Sequence, residues 1–205
     1  MSEGQDGKII LLNGATSSGK SSIARAVQSR IDEPFWHFSI DHLRDAGVLP
    51  LDRIRRGDFR WAGLREAFFD GFHRSLPAFA GSGNNLIVEH IVETPEWMER
   101  LVTLLHGFDV FFVGVHCPLD ELERREAARG DRPMGGARQD FETIHQHAIY
   151  DLELDALQAP AENAMSLISA WQGRRRPGAF ARMPRLIGAP KSLHPPGLIL
   201  ARNPW

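Results

Sequence analysis

Residues 14 to 21 read Gly14-Ala15-Thr16-Ser17-Ser18-Gly19-Lys20-Ser21, with the spacing G-x-x-x-x-G-K-[ST]. Residues of these types in this order suit one task, gripping the phosphates of a nucleoside triphosphate. The glycines allow a tight turn in which successive backbone N–H groups point at phosphate oxygens. Lys20 brings a mobile cation to the outer phosphates, and the Ser21 hydroxyl is a ligand for magnesium. Ser22 continues into a helix whose N-terminus adds positive dipole character. The expected cofactors are a nucleoside triphosphate and Mg2+. The expected nucleotide contacts are Gly14, Ala15, Thr16, Ser17, Ser18, Gly19, Lys20, Ser21 and Ser22.

Phosphoryl transfer needs more than a cradle: a metal anchor, a base for the acceptor hydroxyl, cations for the developing charge and a way to exclude water. Asp41 follows the run Phe35 to Ile40 and is the candidate base, with a helix N-cap as its competing role and Asp45 as the second choice. Glu89 closes the apolar run Leu86-Ile87-Val88 and is the candidate metal ligand beside Ser21, with Glu93 next. Arg129 and Arg132 flank Gly130-Asp131 in a Gly/Arg-rich stretch. Their planar forks suit phosphate oxygens, and Arg132 is the candidate catalytic cation. His145 and His147, two apart on a helix, face nearly opposite ways and are not read as a metal pair.

These groups need strands to deliver them. Apolar or aromatic runs at 8–13, 35–40, 86–92 and 110–115, with a weak fifth at 150–154, read as strands. Between them lie helical patterns at 20–31, 59–80, from Thr94-Pro95 onward, 119–128, 139–148 and 161–172, and a short helix begins at Asp41. Within 59–80, Trp61, Leu64, Phe68, Phe72 and Leu76 share one helical face; most are expected in the core, with one or two lining an acceptor pocket. Alternation of this kind, behind a phosphate-type loop, predicts an α/β protein of three layers, the P-loop NTPase fold with a parallel five-stranded sheet covered on both faces. Ligands in such sheets gather beyond the carboxyl ends of the strands, where Asp41 and Glu89 fall.

The bulk properties narrow the function classes. The chain has 205 residues, room for one domain with a substantial core. Residues 1–173 are expected to form the kinase domain. Residues 174–205 carry six prolines and seven basic residues without one acid, and are expected to be irregular or loosely docked. Up to Gln172 the chain holds 17 basic against 26 acidic residues, a net of −9. An acidic body argues against a broad nucleic-acid surface. No apolar run is long enough to span a bilayer, and the polar start Met1-Ser2-Glu3 is unlike a secretory signal. Together with the lone Cys117, this predicts a cytoplasmic protein with no membrane partner.

Several stretches resemble the chloramphenicol phosphotransferase family. They are Ile10-Leu11-Leu12-Asn13-Gly14 leading into Ser17-Ser18-Gly19-Lys20-Ser21, Glu33-Pro34-Phe35-Trp36, Phe38-Ser39-Ile40-Asp41-His42-Leu43, Val113-Gly114-Val115-His116-Cys117 and Glu126-Ala127-Ala128-Arg129-Gly130-Asp131-Arg132. His145 and Tyr150-Asp151-Leu152-Glu153 continue the likeness, which runs from about residue 8 to 155. The resemblance implies a nucleoside-monophosphate-kinase-like fold and ATP-dependent phosphorylation of a hydroxyl on a small molecule, antibiotic-like or a metabolite, with Asp41 as base and phosphate contacts from Lys20, Arg129 and Arg132. Glu89-His90 departs from the family's aspartates, and residues 47–66, expected to help form the acceptor pocket, look unlike the antibiotic enzyme, so the acceptor stays open. A nucleoside or polynucleotide-end kinase and a nucleotide-dependent regulatory module remain the alternatives.

Overall fold

Ile9–Asn13 (β1) is apolar up to its last residue, and all five residues are buried because the strand has neighbours on both edges. The computed structural model describes residues 6–129, 135–146 and 148–183. In it β1 is the centre of a five-stranded sheet of order β2-β3-β1-β4-β5, with β2 Phe35–Ser39, β3 Asn85–His90, β4 Val110–His116 and β5 Leu152–Asp155. Every pairing is parallel. The predicted sheet is therefore present, and β3 is inserted between the two strands that come first in the chain.

Helices cover both faces. Ile10, Leu12, Ile87, Val113 and Val115 face α1 (Lys20–Gln28), α6 (Leu119–Arg129), α7 (Gly136–Thr143) and α8 (Pro160–Gln172). Ile9, Leu11, Leu86, Val88 and Phe112 face α4 (Trp61–Gly81) and α5 (Pro95–Leu104). The two-residue period of β3 thus sends Glu89 toward the α1 face and His90 toward the α4 and α5 face.

Local chemistry sets the boundaries, with some departures from the sequence expectation. The short helix α2 runs Ile40–Asp45, and Ser39 caps it by accepting from the Asp41 N–H at 3.2 Å. The capping role weighed for Asp41 therefore belongs to Ser39. A further helix, α3 (Leu51–Arg55), lies between α2 and α4. Helix α7 starts three residues earlier than the expected 139–148, because the Glu126 carboxylate takes the N–H groups of Gly135 and Ala137 at 2.9 and 3.0 Å. Leu64 is exposed, whereas Phe72 and Leu76 from the same expected face are in the core.

Residues 174–183 lie against the sheet. Arg174 stacks on Trp171 and pairs with Asp109 at 2.7 Å. The short helix α9 (Ala179–Arg182) is anchored by Asp151, which accepts from the Ala179 N–H at 2.6 Å. Phe180 and Met183 are buried in the α4 and α5 layer. The remainder of the expected tail, 184–205, lies outside the described residues. No described helix is long and apolar enough to cross a membrane.

Candidate active site

The loop from Gly14 to Ser21 joins β1 to α1. Its two glycines do different work. A Cβ on Gly14 would lie 2.6 Å from the Val115 carbonyl oxygen, so this position is fixed by the close approach of β4. Gly19 has φ +90 and caps α1, and Ser17 also has a positive φ of 65. The alternation folds the loop around Lys20, whose ammonium donates to the carbonyls of Gly14 and Ala15 at 2.8 Å each. No side chain caps the start of α1, and its first turn holds no acid. The Thr16 N–H donates to Asp140 Oδ2 at 2.8 Å, which ties the loop to α7.

Ser21 and Glu89 meet. The Ser21 hydroxyl donates to Glu89 Oε2 at 2.7 Å, and Glu89 Oε1 faces His37 Nε2 in a close ion-pair contact. Burial alone would raise the Glu89 carboxyl, but hydrogen bonds from His37 and Ser21 and the charge of Lys20 outweigh it and hold the group below the usual range. His42 lies edge-on to His37 with ring centroids 4.5 Å apart. Burial, then the neighbouring His37, lowers its pKa despite the nearby carboxylates.

A cleft of about 950 Å³ opens at the carboxyl edge of the sheet. Thr16 to Ser22 form its floor together with Glu89. Asp41 stands on its wall, half-buried in the first turn of α2, with Arg44 Nη1 3.1 Å from its Oδ1. Beyond Asp41 the wall is aromatic: Trp61, Phe68 and Phe69 of α4. Arg65 sits among them, 4.8 Å from the Phe69 ring centroid and 2.6 Å from a Glu93 oxygen. On the opposite side stand Arg124, Arg125 and Arg129. Both Arg124 and Arg125 pair with Glu121 at 2.6 Å.

Of the residues singled out from sequence, Thr16 to Ser22, Asp41, Glu89 and Arg129 share this cleft. Gly14 and Ala15 do not line it; they hold Lys20 through their carbonyls. Arg132 lies outside the described residues. Asp140, His37 and the pair Arg124 and Arg125 were missed. Asp140 carries no local signal, being one acid in a helical pattern. His37 did carry one: a polar residue two before Ser39, on the strand face that also holds Glu89 in β3. Glu93, the second choice for a metal, is engaged with Arg65.

Chloramphenicol phosphotransferase-like protein is the family that matches, over residues 7–172. The chain belongs to that family. A relative from Mycobacterium tuberculosis, called "Putative O-phosphotransferase" in strains CDC 1551 / Oshkosh and ATCC 25618 / H37Rv alike, is 34% identical over 200 residues, 87% of this chain and 88% of the relative. Solved structures extend the fold relationship. The Mycobacterium tuberculosis APS kinase CysC, in complex with AMPPNP and APS, superposes with a TM-score of 0.61 at 21% identity, over 82% of this chain and 98% of that one. A sugar kinase from Janibacter sp. HTCC2649 gives 0.60 at 17% identity, over 81% and 95%. A gluconokinase from Sinorhizobium meliloti 1021 gives 0.55 at 16%, over 82% and 93%. The fold of this family member is that of the P-loop kinases, and its family is one of phosphotransferases.

Proposed function

We propose that this chain transfers the terminal phosphate of ATP to a hydroxyl of a small molecule. One observation carries the reading: a single cleft joins the phosphate-type loop to Asp41 and then to an aromatic wall. Loop amides and the N-terminus of α1 orient the phosphates, and Lys20 leaves its two carbonyl partners to meet them. The Ser21 hydroxyl and Glu89 carboxylate, already in contact, are oxygen donors of the kind a hard cation prefers. They would hold magnesium, which when bound neutralises charge on the phosphate oxygens. Asp41 accepts the proton of the acceptor hydroxyl as that oxygen attacks in line. Trp61, Phe68 and Phe69 bury the acceptor's apolar body, and Arg129, with Arg132 nearby in sequence, covers the phosphates.

The acceptor belongs to the class of hydroxylated antibiotics and metabolites with an apolar or aromatic body. The lone buried Cys117 fits a reducing cytoplasm. Asp41→Asn tests the assignment. Turnover should fall about 10²- to 10⁴-fold, while nucleotide affinity stays within about twofold, because Asp41 stands on the acceptor side of the loop. A variant that phosphorylates an identified acceptor at the wild-type rate removes Asp41 from the role of base.

A further inference from the structure

His37 and His42 converge on Glu89 from two positions that the proposed phosphoryl transfer does not use. His37 points out of the middle of β2 toward the α1 face, and the register that sets Ser39 beside Glu89 brings the two strands' side chains together on that face. His42 lies three residues beyond Ser39, in the first turns of α2. One donor atom from each of the three lies within 4.8 Å of the others. Among the described residues no other trio of His, Cys, Asp or Glu donors gathers in this way. The His37 and Glu89 side chains are 8% and 7% exposed, while His42 belongs to the exposed surface of a short helix.

We propose that His37, His42 and Glu89 form a binding site for a nitrogen-preferring divalent cation of the zinc class, beside the phosphate loop and sharing Glu89 with the magnesium site through its other carboxylate oxygen. Two imidazoles and one carboxylate make up a three-ligand set that leaves a fourth position open. Metal–nitrogen and metal–oxygen bonds of about 2.0–2.2 Å require donors spaced roughly 3.4 Å apart around a tetrahedral ion. From donors within 4.8 Å of one another this asks for side-chain rotations: of His42, which is at the surface, and of His37 and Glu89, whose close contact must open to admit the ion. Two nitrogen donors select against magnesium, which takes oxygen and keeps its waters. Glu89 serves both sites with different atoms: Oε2 accepts from Ser21 and Oε1 faces the histidines.

The His37–Glu89 pair would be worth having without a metal, but it gives no reason for a second imidazole edge-on to the first. Metal binding can therefore be measured without nucleotide or acceptor, so it stands or falls apart from phosphoryl transfer. The purified full chain is titrated with zinc by calorimetry and with cobalt by visible absorption. We expect one saturable equivalent, a cobalt spectrum of a four- or five-coordinate nitrogen and oxygen site, and zinc-dependent shifts of the His37 and His42 imidazole nitrogens in NMR spectra. His42→Gln and His37→Gln should each weaken binding at least about tenfold, while His106→Gln, at an exposed turn, leaves it unchanged. The absence of saturable binding, or binding that survives both His42→Gln and His37→Gln, overturns the proposal. So do imidazole signals of His37 and His42 that zinc does not move.

Discussion

Ser21 Oγ donates to Glu89 Oε2 at 2.7 Å, although the two residues are 68 positions apart and come from different elements. The bond links the first turn of α1 to the end of β3. Because β3 lies between β1 and β2, this carboxylate is also within reach of β2 through His37. Hydrogen bonds from His37 and Ser21 and the charge of Lys20 hold its pKa below the ordinary value despite burial. A buried carboxylate kept charged beside a phosphate-type loop is poorly explained by stability alone, since burial by itself disfavours the charge.

Replacing that charge is the first test. Glu89→Gln keeps the shape and can still hydrogen bond to Ser21, so the fold should survive. Turnover should fall about 10²-fold or more, and the magnesium concentration for half-maximal rate should rise. Initial rates against magnesium, with melting curves alongside, separate the effects. A variant with wild-type rate and magnesium dependence would release Glu89 from the metal role.

Glycine supplies a pair of predictions of opposite sign. Gly14→Ala forces a Cβ to within 2.6 Å of the Val115 backbone oxygen, which cannot move without displacing β4. We expect a loss of about 1–3 kcal/mol in stability. Gly71, within α4, has open space around its would-be Cβ. Gly71→Ala should stabilise by about 0.5–1 kcal/mol, because it removes backbone freedom from the unfolded chain. Urea titrations of the two variants should shift their midpoints in opposite directions; shifts of the same sign would refute this account of Gly14.

Asn13 binds three separate segments behind the loop. Its Oδ1 accepts from the Val92 N–H at 3.0 Å, and its Nδ2 donates to the Ile144 carbonyl at 3.1 Å and to the Tyr150 hydroxyl at 2.8 Å. The residue is fully buried, so water cannot replace it. Asn13→Ala should cost about 3 kcal/mol, the penalty for leaving buried partners unpaired. It should also loosen nucleotide binding, since α7 carries the Asp140 that holds Thr16. Denaturant midpoints and nucleotide titration check both; a loss under about 0.5 kcal/mol would show that the three segments find other partners.

Much of this was legible in the sequence, and the reasons differ by residue. The Gly14 to Ser21 spacing announced the loop because its chemistry is local. The apolar runs announced the strands because a strand buried on both faces has no polar side. The Ser21–Glu89 contact was anticipated only as two separate candidates, since strand order, which sets their distance, is not written in any one segment. His37 carried only a local mark, a polar residue in a strand, and its partner Glu89 lies 52 positions away on a strand whose neighbours no single segment names. Asp140 and Asn13 act through backbone groups of remote loops, and no spacing rule encodes that. The expected start of α7 was late because Glu126, from the preceding helix, supplies its cap.

Two buried histidines should make stability depend on pH. His73 Nε2 and His90 Nε2 lie 2.6 Å apart inside a cage that includes Phe69, Phe72 and Trp97. At that separation one nitrogen donates and the other accepts, so the two rings cannot both be charged. Burial, with some help from Arg100, pushes His73 down to about 3. Burial, then the neighbouring His73, holds His90 well below its ordinary value. In the unfolded chain both return to about 6.5. Between pH 6.5 and 3 the unfolded state therefore binds protons here that the folded state does not, so stability rises with pH in this window and is lost as pH falls. Each ring contributes up to about 1.4 kcal/mol per pH unit, and the pair should cost roughly 2–3 kcal/mol between pH 7.5 and 5.5. Replacing both, His73→Leu with His90→Leu, should flatten that part of the curve in denaturant titrations across pH. A double variant with the full wild-type slope would show that the acid sensitivity resides elsewhere.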